Sequence, residues 1–351
     1  MNECCGSETN CADVAEDCCC CPGPGGMAEI RPALTTLSAK DKLGAWKVRW
    51  GIGRMNYTVA PGLYTVGEPD GESPVLVSAN YKLTFDTLRK NLVGVNCWLL
   101  ILDTKGINVW CAAGKGTFGT AELANRIEAV GLSGVVTHRN LILPQLGASG
   151  VSAHEIKKLT GFSVTYGPVR ACDIRSFIAS GCKATPEMRT VNFTLRDRVV
   201  LTPIELVEAA KISVFVFGVL FLLNLFIARP FGAFDAAAYF GTVLVGSVVT
   251  PALLPFIPGR AFAWKGWLLG MIWAVFAVWV FGWFSADNWM LAAGYLLILP
   301  AVSGFFAMNF TGCSTYTSPS GVLKEMRLAL PPFVVTGVAG AVLILIKSFI
   351  G

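Results

Sequence analysis

Apolar and polar positions along the chain follow two different periods, and the change falls near residue 205. From about Leu43 to Glu205, apolar runs of four to eight residues alternate with amphipathic stretches. Candidate strands are residues 74–78, 95–102, 107–111, 134–136 with 141–143, and 163–166. Candidate helices are residues 84–92, 120–130, 153–159 and 172–179. Short apolar runs alternating with amphipathic helices predict βαβ units and a mostly parallel sheet. Ligands of such sheets bind at the carboxyl ends of the strands, so chemistry is expected in the loops that follow them.

After Lys211 the pattern becomes five uncharged apolar stretches, residues 212–228, 236–257, 266–284, 289–310 and 328–346. Each approaches the ~20 residues a helix needs to cross a bilayer. Trp264, Trp267, Trp283 and Trp289 fall near their ends, as an interfacial aromatic belt requires. Arg260 and Lys265 lie between the second and third stretches, and Lys324 and Arg327 between the fourth and fifth. The opposite loops offer only Arg229, and residues 285–288 carry no base. The positive-inside rule then puts the α/β domain in the cytoplasm and the C-terminus outside an inner membrane. Pumps and ion-coupled transporters keep charged groups within their spans, so these charge-free stretches favour an anchor or docking platform over a transporter.

Composition sharpens this division. Hydrophobic residues make up 54% of the chain and charged residues only 15%, and the deficit sits in the second half. Net charge is +5, but residues 1–28 hold Glu3, Glu8, Asp13, Glu16 and Asp17 and no base, which leaves +10 on the rest. Arg189, Arg196, Arg198 and Lys211 concentrate near the membrane boundary, where they suit an anionic leaflet; no basic stripe with interleaved aromatics suggests nucleic acid. Seven of the twelve cysteines precede Pro22, and the N-terminus has no secretory signal pattern. Reduced thiols or metal ligands are therefore expected rather than a disulfide framework. Three parts follow: a Cys-rich flexible tail (1–28), a cytoplasmic α/β domain (29–205) and a five-helix transmembrane domain (206–351).

The run Asn108-Val109-Trp110-Cys111-Ala112-Ala113-Gly114-Lys115-Gly116-Thr117-Phe118-Gly119 follows a strand and opens a helix at about Thr120, with Glu122 in its first turn. Gly114, Gly116 and Gly119 fit a dinucleotide fingerprint, but the acid expected about 20 positions on is replaced by Thr137-His138-Arg139-Asn140. Gly116 in place of Ser or Thr after Lys115 excludes a Walker P-loop. Cys111 stands at a strand's end, shortly before a helix start and four residues before Lys115, surroundings that favour thiolate. The competing reading is a buried structural cysteine.

This run, with 137–147, 166–171 and 193–198, resembles the mercury-methylating corrinoid proteins, a family related to the corrinoid iron–sulfur protein of the acetyl-CoA pathway. The likeness extends over nearly everything but the tail. It implies a Rossmann-like corrinoid-binding α/β domain followed by an all-α bundle of five transmembrane helices. It implies a cobalamin-type cofactor with Cys111 as lower axial ligand to cobalt. A methyl group would reach cobalt from a methyltetrahydrofolate-linked methyl-donor methyltransferase and pass to Hg(II), giving methylmercury. A small ferredoxin-like iron–sulfur protein would serve as electron donor.

In that reading Asn108 to Phe118 form the cofactor-binding segment, with small residues Ala112, Ala113 and Gly114 letting backbone lie under the corrin ring. Backbone amides of Gly114, Lys115, Gly116, Thr117 and Phe118 are expected to hold polar groups of the cofactor. Ser78, Asn80 and Thr84 follow a strand end and are candidates for its side-chain amides. Ala171 is a candidate for packing its nucleotide tail, and His138 for a further contact. Cys4, Cys5, Cys11 and Cys18 to Cys21 match no ferredoxin spacing; they fit either a soft-metal relay for Hg(II) or a disordered tail. Two other classes stand beside this one: a membrane-tethered nicotinamide oxidoreductase, and a metal transporter with a cytoplasmic regulatory domain.

Overall fold

The computed structural model describes residues 29–226, 231–314 and 319–350. The N-terminal tail and its cysteines lie outside the described residues.

Six strands form one mixed sheet: β1 (Arg31–Pro32), β2 (Gly62–Val66), β3 (Val75–Ala79), β4 (Cys97–Leu102), β5 (Asn140–Leu143) and β6 (Ser163–Tyr166), in the order β1-β2-β4-β3-β5-β6. The β3–β4, β3–β5 and β5–β6 pairs are parallel, as expected, while β2 runs antiparallel to β4. Every residue of β3 and β4 is buried, because both faces of the sheet are covered.

One face packs on α3 (Val109–Lys115), α4 (Thr120–Ala129), the short turn α5 (Leu132–Val135) and α6 (Ala153–Thr160). The other packs on α2 (Lys82–Arg89) and α7 (Ile174–Ala179), which brings Phe85, Leu88, Ile174 and Phe177 against Leu76, Leu99, Ile101 and Ile142. The chain moves from β3 outward to β4, then crosses back to place β5 on the other side of β3. That reversal opens a crevice at the carboxyl ends of β3 and β5.

An N-terminal helix, α1 (Ala39–Arg49), is started by a capping box in which Ser38 and Asp41 satisfy each other's backbone donors. Three expectations change. Residues 107–111 are not a strand: Asn108 caps a helix there, its Oδ1 accepting from the Cys111 N–H at 2.9 Å. Residues 134–136 fall mostly in the turn α5. Helix α4 is opened by Gly119, and Thr120 is its first residue.

Among the described residues, helices occupy most of each apolar stretch, and five helices are long and apolar enough to cross a membrane. They comprise α8 (Leu195–Val199) with α9 (Thr202–Leu223), then α10 (Ala233–Leu244) joined through a π turn at Val245–Val249 to α11 (Thr250–Leu253). After these come α12 (Phe262–Val280), α13 (Trp289–Asn309) and α14 (Pro319–Ile350). The helices run past the uncharged stretches, so Asp235, Lys265, Lys324, Glu325, Arg327 and Lys347 lie within their ends.

Glycines bring α12 and α13 together: a Cβ at Gly266 would sit 2.3 Å from that of Ala307, and one at Gly270 2.5 Å from that of Ser303. Ser303 Oγ donates to the Gly266 carbonyl at 2.8 Å. The α/β region meets the bundle through Phe193, buried among Leu254, Phe262 and Phe310. Arg198 reinforces this joint by donating to the Ala252 carbonyl at 3.0 Å.

Candidate functional site

The crevice at the carboxyl ends of β3 and β5 holds a cavity of about 420 Å³. Its floor is Leu76, Ser78, Ile142 and Leu143 from the sheet, and its walls come from α2, α7 and the first turn of α3. Of the residues singled out in the sequence, Ser78, Thr84, Asn108, Val109, Trp110 and Ala171 all line it. Six positions spread over almost a hundred residues thus converge on one space. Pro144, Leu146, Pro168 and Arg170, from the runs 137–147 and 166–171, also line it, as do Arg49 and Thr87, which carried no local signal of their own. Arg170 is fixed by Asp197, to which it donates at 2.8 Å.

Cys111 is the third residue of α3, directly after Trp110, and half-buried. What fixes it there is the loop between β4 and α3. Asn80 Oδ1 accepts from the Thr104 N–H at 3.1 Å, the Thr104 hydroxyl at 2.9 Å and the Gly106 N–H at 3.1 Å. Glu122 accepts from the Asp103 N–H at 2.8 Å, and the Thr104 hydroxyl shares its one proton with the Ile107 carbonyl, 2.7 Å away. Asn80 is therefore occupied in holding this loop rather than offered to a ligand. Gly106 has φ +70°, and a Cβ there would meet the Met55 carbonyl at 2.9 Å, so this tight turn requires glycine.

The small residues after Cys111 divide into two kinds. Ala112 and Ala113 face inward and are buried in the core. They pack close to Gly150, where a Cβ would lie 2.2 Å from the Phe118 carbonyl oxygen and 2.9 Å from the Ala113 Cα. Gly114 and Gly116 face outward with nothing within 4 Å of an added Cβ, and Gly116 ends the helix at φ +81°. The Gly116 and Phe118 amides donate to the Ala113 and Ala112 carbonyls, so two of the five amides expected to serve a ligand instead close the helix. Phe118 itself is fully buried in the core.

His138 is not brought to the cavity. It precedes β5 at the amino edge of the sheet, where its Nε2–H donates to the Ser73 carbonyl at 2.9 Å and Nδ1 accepts from the Asn140 N–H at 3.2 Å. The glycine pattern is not a phosphate loop either. A helix of seven residues separates β4 from Gly116, whereas a dinucleotide fingerprint leads directly from strand to helix.

Cys97, Cys111, Cys172 and Cys182 are free thiols. Burial pushes Cys97 up to about 12, and burial together with Asp173 raises Cys172. Cys182 is raised by burial as well. Among the described residues no cluster of three or more His, Cys, Asp or Glu side chains is arranged for a metal ion.

Residues 53–178, from the loop before β2 to α7, match the protein family described as CO dehydrogenase/acetyl-CoA synthase delta subunit. Over 127 residues the chain is 35% identical to the acetyl-CoA decarbonylase/synthase complex subunit gamma of Methanocaldococcus jannaschii, covering 36% of this chain and 26% of that protein. Over 122 residues it is 33% identical to the corresponding subunit of Methanopyrus kandleri, covering 34% and 26%. Over 111 residues it is 38% identical to subunit gamma 2 of Methanosarcina thermophila, covering 30% and 23%. The chain therefore spans about a quarter of the length of the curated relatives it matches. The α/β region is related to these acetyl-CoA pathway subunits, and the family match stops before the first long helix.

Proposed function

We propose that this chain is a membrane-held, corrinoid-dependent methyltransferase that carries a methyl group from a methyltetrahydrofolate-linked donor to Hg(II). The relation to acetyl-CoA decarbonylase/synthase subunits supports corrinoid methyl transfer as the class of chemistry. The observation that carries the reading to this chain is the placement of Cys111: a free, half-buried thiol on the first turn of α3, whose neighbouring residues wall the cavity at the sheet's switch point.

The residues present suit a corrinoid. A cavity of about 420 Å³ is the size of an arm of such a cofactor rather than the whole. Outside it, the open space over Gly114 and Gly116 leaves room beside Cys111 for a broad ring. When bound, a corrinoid supplies a cobalt centre able to accept and give up a methyl group. Cys111 would hold the cobalt through its sulfur, a soft donor that would raise electron density on the metal. The Ser78 and Thr84 hydroxyls offer hydrogen bonds to the arm, Trp110 and Val109 form an apolar wall, and Ala171 leaves space at the far side. Asn80, Thr104 and Glu122 keep α3 in position. The partners of this reading are a small ferredoxin-like iron–sulfur electron donor and the methyl-donating methyltransferase. The basic residues Arg260, Lys265, Lys324 and Arg327, at or beside the ends of α12 and α14, support placing the α/β region in the cytoplasm and the C-terminus outside.

The test is the visible spectrum and cobalt content of the purified full chain beside Cys111→Ala and Cys111→His. Bound corrinoid is expected, with an absorption that shifts in both variants, and methylmercury formation from Hg(II) is expected to disappear in Cys111→Ala. A chain that retains no cobalt after reconstitution with cobalamin overturns the cofactor assignment. Retention with an unchanged spectrum in both variants overturns the ligand assignment.

A further inference from the structure

Helix α1 and the turn after it carry their apolar residues on the wrong side for a soluble domain. Val48 is buried against the rest of the fold, while Leu43 is 53% exposed, Trp46 56%, Ile52 58% and Met55 68%. On a helix of 3.6 residues per turn, Leu43 and Trp46 form an outward stripe, which the half-exposed Trp50 continues just past the helix end. Lys42 and Arg49 flank that stripe on one side and Lys47 on the other. Trp46 and Trp50 lie against each other, ring centroids 6.1 Å apart. From Ala39 to Asn56 the chain holds Lys40, Lys42, Lys47, Arg49 and Arg54 against the single acid Asp41. That acid is turned away from the surface, paired with Lys82 at 2.7 Å and Arg89 at 2.9 Å. The outward face is thus apolar at its centre and cationic at its rim.

Its position says what it faces. A Cβ at Gly51 would lie 3.0 Å from Cδ1 of Ile204 and 3.8 Å from Cγ1 of Val207. Both residues sit in the first two turns of α9, just before that helix becomes uncharged. The patch therefore adjoins the point where the chain enters the apolar bundle. Aromatic residues beside lysines and arginines are the chemistry of an element lying in the plane of an anionic leaflet. The family match begins only at residue 53, so α1 lies outside it.

We propose that residues 39–56 form an interfacial anchor that lies on the surface of an anionic phospholipid bilayer and holds the α/β region against it. This rests on the reading of α9 to α14 as membrane spans. Arg49 belongs both to this face and to the wall of the cavity, so the anchor also sets the cavity close to the lipid surface.

The experiment is hydrogen exchange by mass spectrometry on the full chain in nanodiscs of phosphatidylcholine, with and without about one third phosphatidylglycerol. Amides of 39–56 are expected to exchange at least tenfold more slowly in the anionic discs. That protection is expected to vanish in Lys42→Glu/Lys47→Glu, while peptides from β4 stay unchanged. Equal exchange in both lipids, or protection that survives the charge reversal, overturns the proposal. Protection that appears only on adding a ferredoxin-like protein overturns it too, and makes the face a protein-docking surface. Peptides of α12 and α13 report separately: if these exchange freely in every disc, the spans themselves are misassigned.

Discussion

Asp41 caps α1 through Ser38 and binds Lys82 and Arg89 of α2, so one carboxylate joins two elements. The Lys82 ammonium, with help from Ser38 and Arg89, holds this carboxyl far below its ordinary value, against the opposing effect of burial. Replacing it by Asn removes Arg89's charge partner on α1, while Asp86 at 2.7 Å still balances that guanidinium, and costs about 1–2 kcal/mol. Because the folded value is depressed, the ionic part of that stability is full above about pH 4 and drains away below it. In urea denaturation the gap between the wild type and Asp41→Asn is therefore expected to narrow as pH falls through about 4. A gap that stays constant down to about pH 3 would show that packing, not charge, is what Asp41 supplies. None of this was legible beforehand, since Asp41, Lys82 and Arg89 are distant in sequence and meet only through the fold.

Helix α3 was the hardest element to read. Ile107, Val109 and Trp110 are strand formers by propensity, and only the Asn108 side chain closing on the Cys111 N–H turns the segment helical. Asn108, Val109 and Trp110 still line the cavity, because the first turn of α3 occupies the same end of the sheet that a strand's last residues would have reached. His138 failed for a topological reason: it precedes a strand, whereas ligands gather after strands.

Two substitutions separate the roles of the small residues around α3. Gly150→Ala drives a methyl into the Phe118 carbonyl and Ala113, and is expected to destabilise by about 1–3 kcal/mol while shifting α3. Gly114→Ala meets no protein atom and improves helix propensity, so it is expected to raise stability by up to about 1 kcal/mol. If a corrinoid covers that face, Gly114→Ala also lowers cobalt retained per chain despite the better stability. Undiminished cobalt in Gly114→Ala would remove the ring from above α3.

At the scale of the whole molecule, the five apolar helices were plain in the sequence because nothing else accounts for five uncharged stretches of about 20 residues. Their ends were not, since helices continue past the hydrophobic core into segments holding Asp235, Lys265 and Glu325. Helix α1 escaped notice because it shows its apolar stripe to the outside, and β2 because it directly follows Pro61 and runs antiparallel, outside the alternation of strand and helix. The bundle's tightest crossing predicts its weakest point. Gly270→Val places two methyl groups where Ser303 already sits, and is expected to lower the melting temperature of the purified protein and broaden its size-exclusion peak. An unchanged melt and a sharp peak would mean that α12 and α13 can separate without loss.

The Phe193 joint carries a consequence for the order in which the chain matures. All six strands lie before residue 167, so the sheet can close while the long apolar helices are still to be synthesised. Phe193, held at φ +37° where a bulky residue is strained, cannot settle then, because its socket is built from Leu254, Phe262 and Phe310. The last wall of that socket emerges more than a hundred residues after Phe193 itself. Until translation passes Phe310, the finished α/β region hangs from an unseated neck, and its orientation against the helical bundle is decided only when α13 is complete.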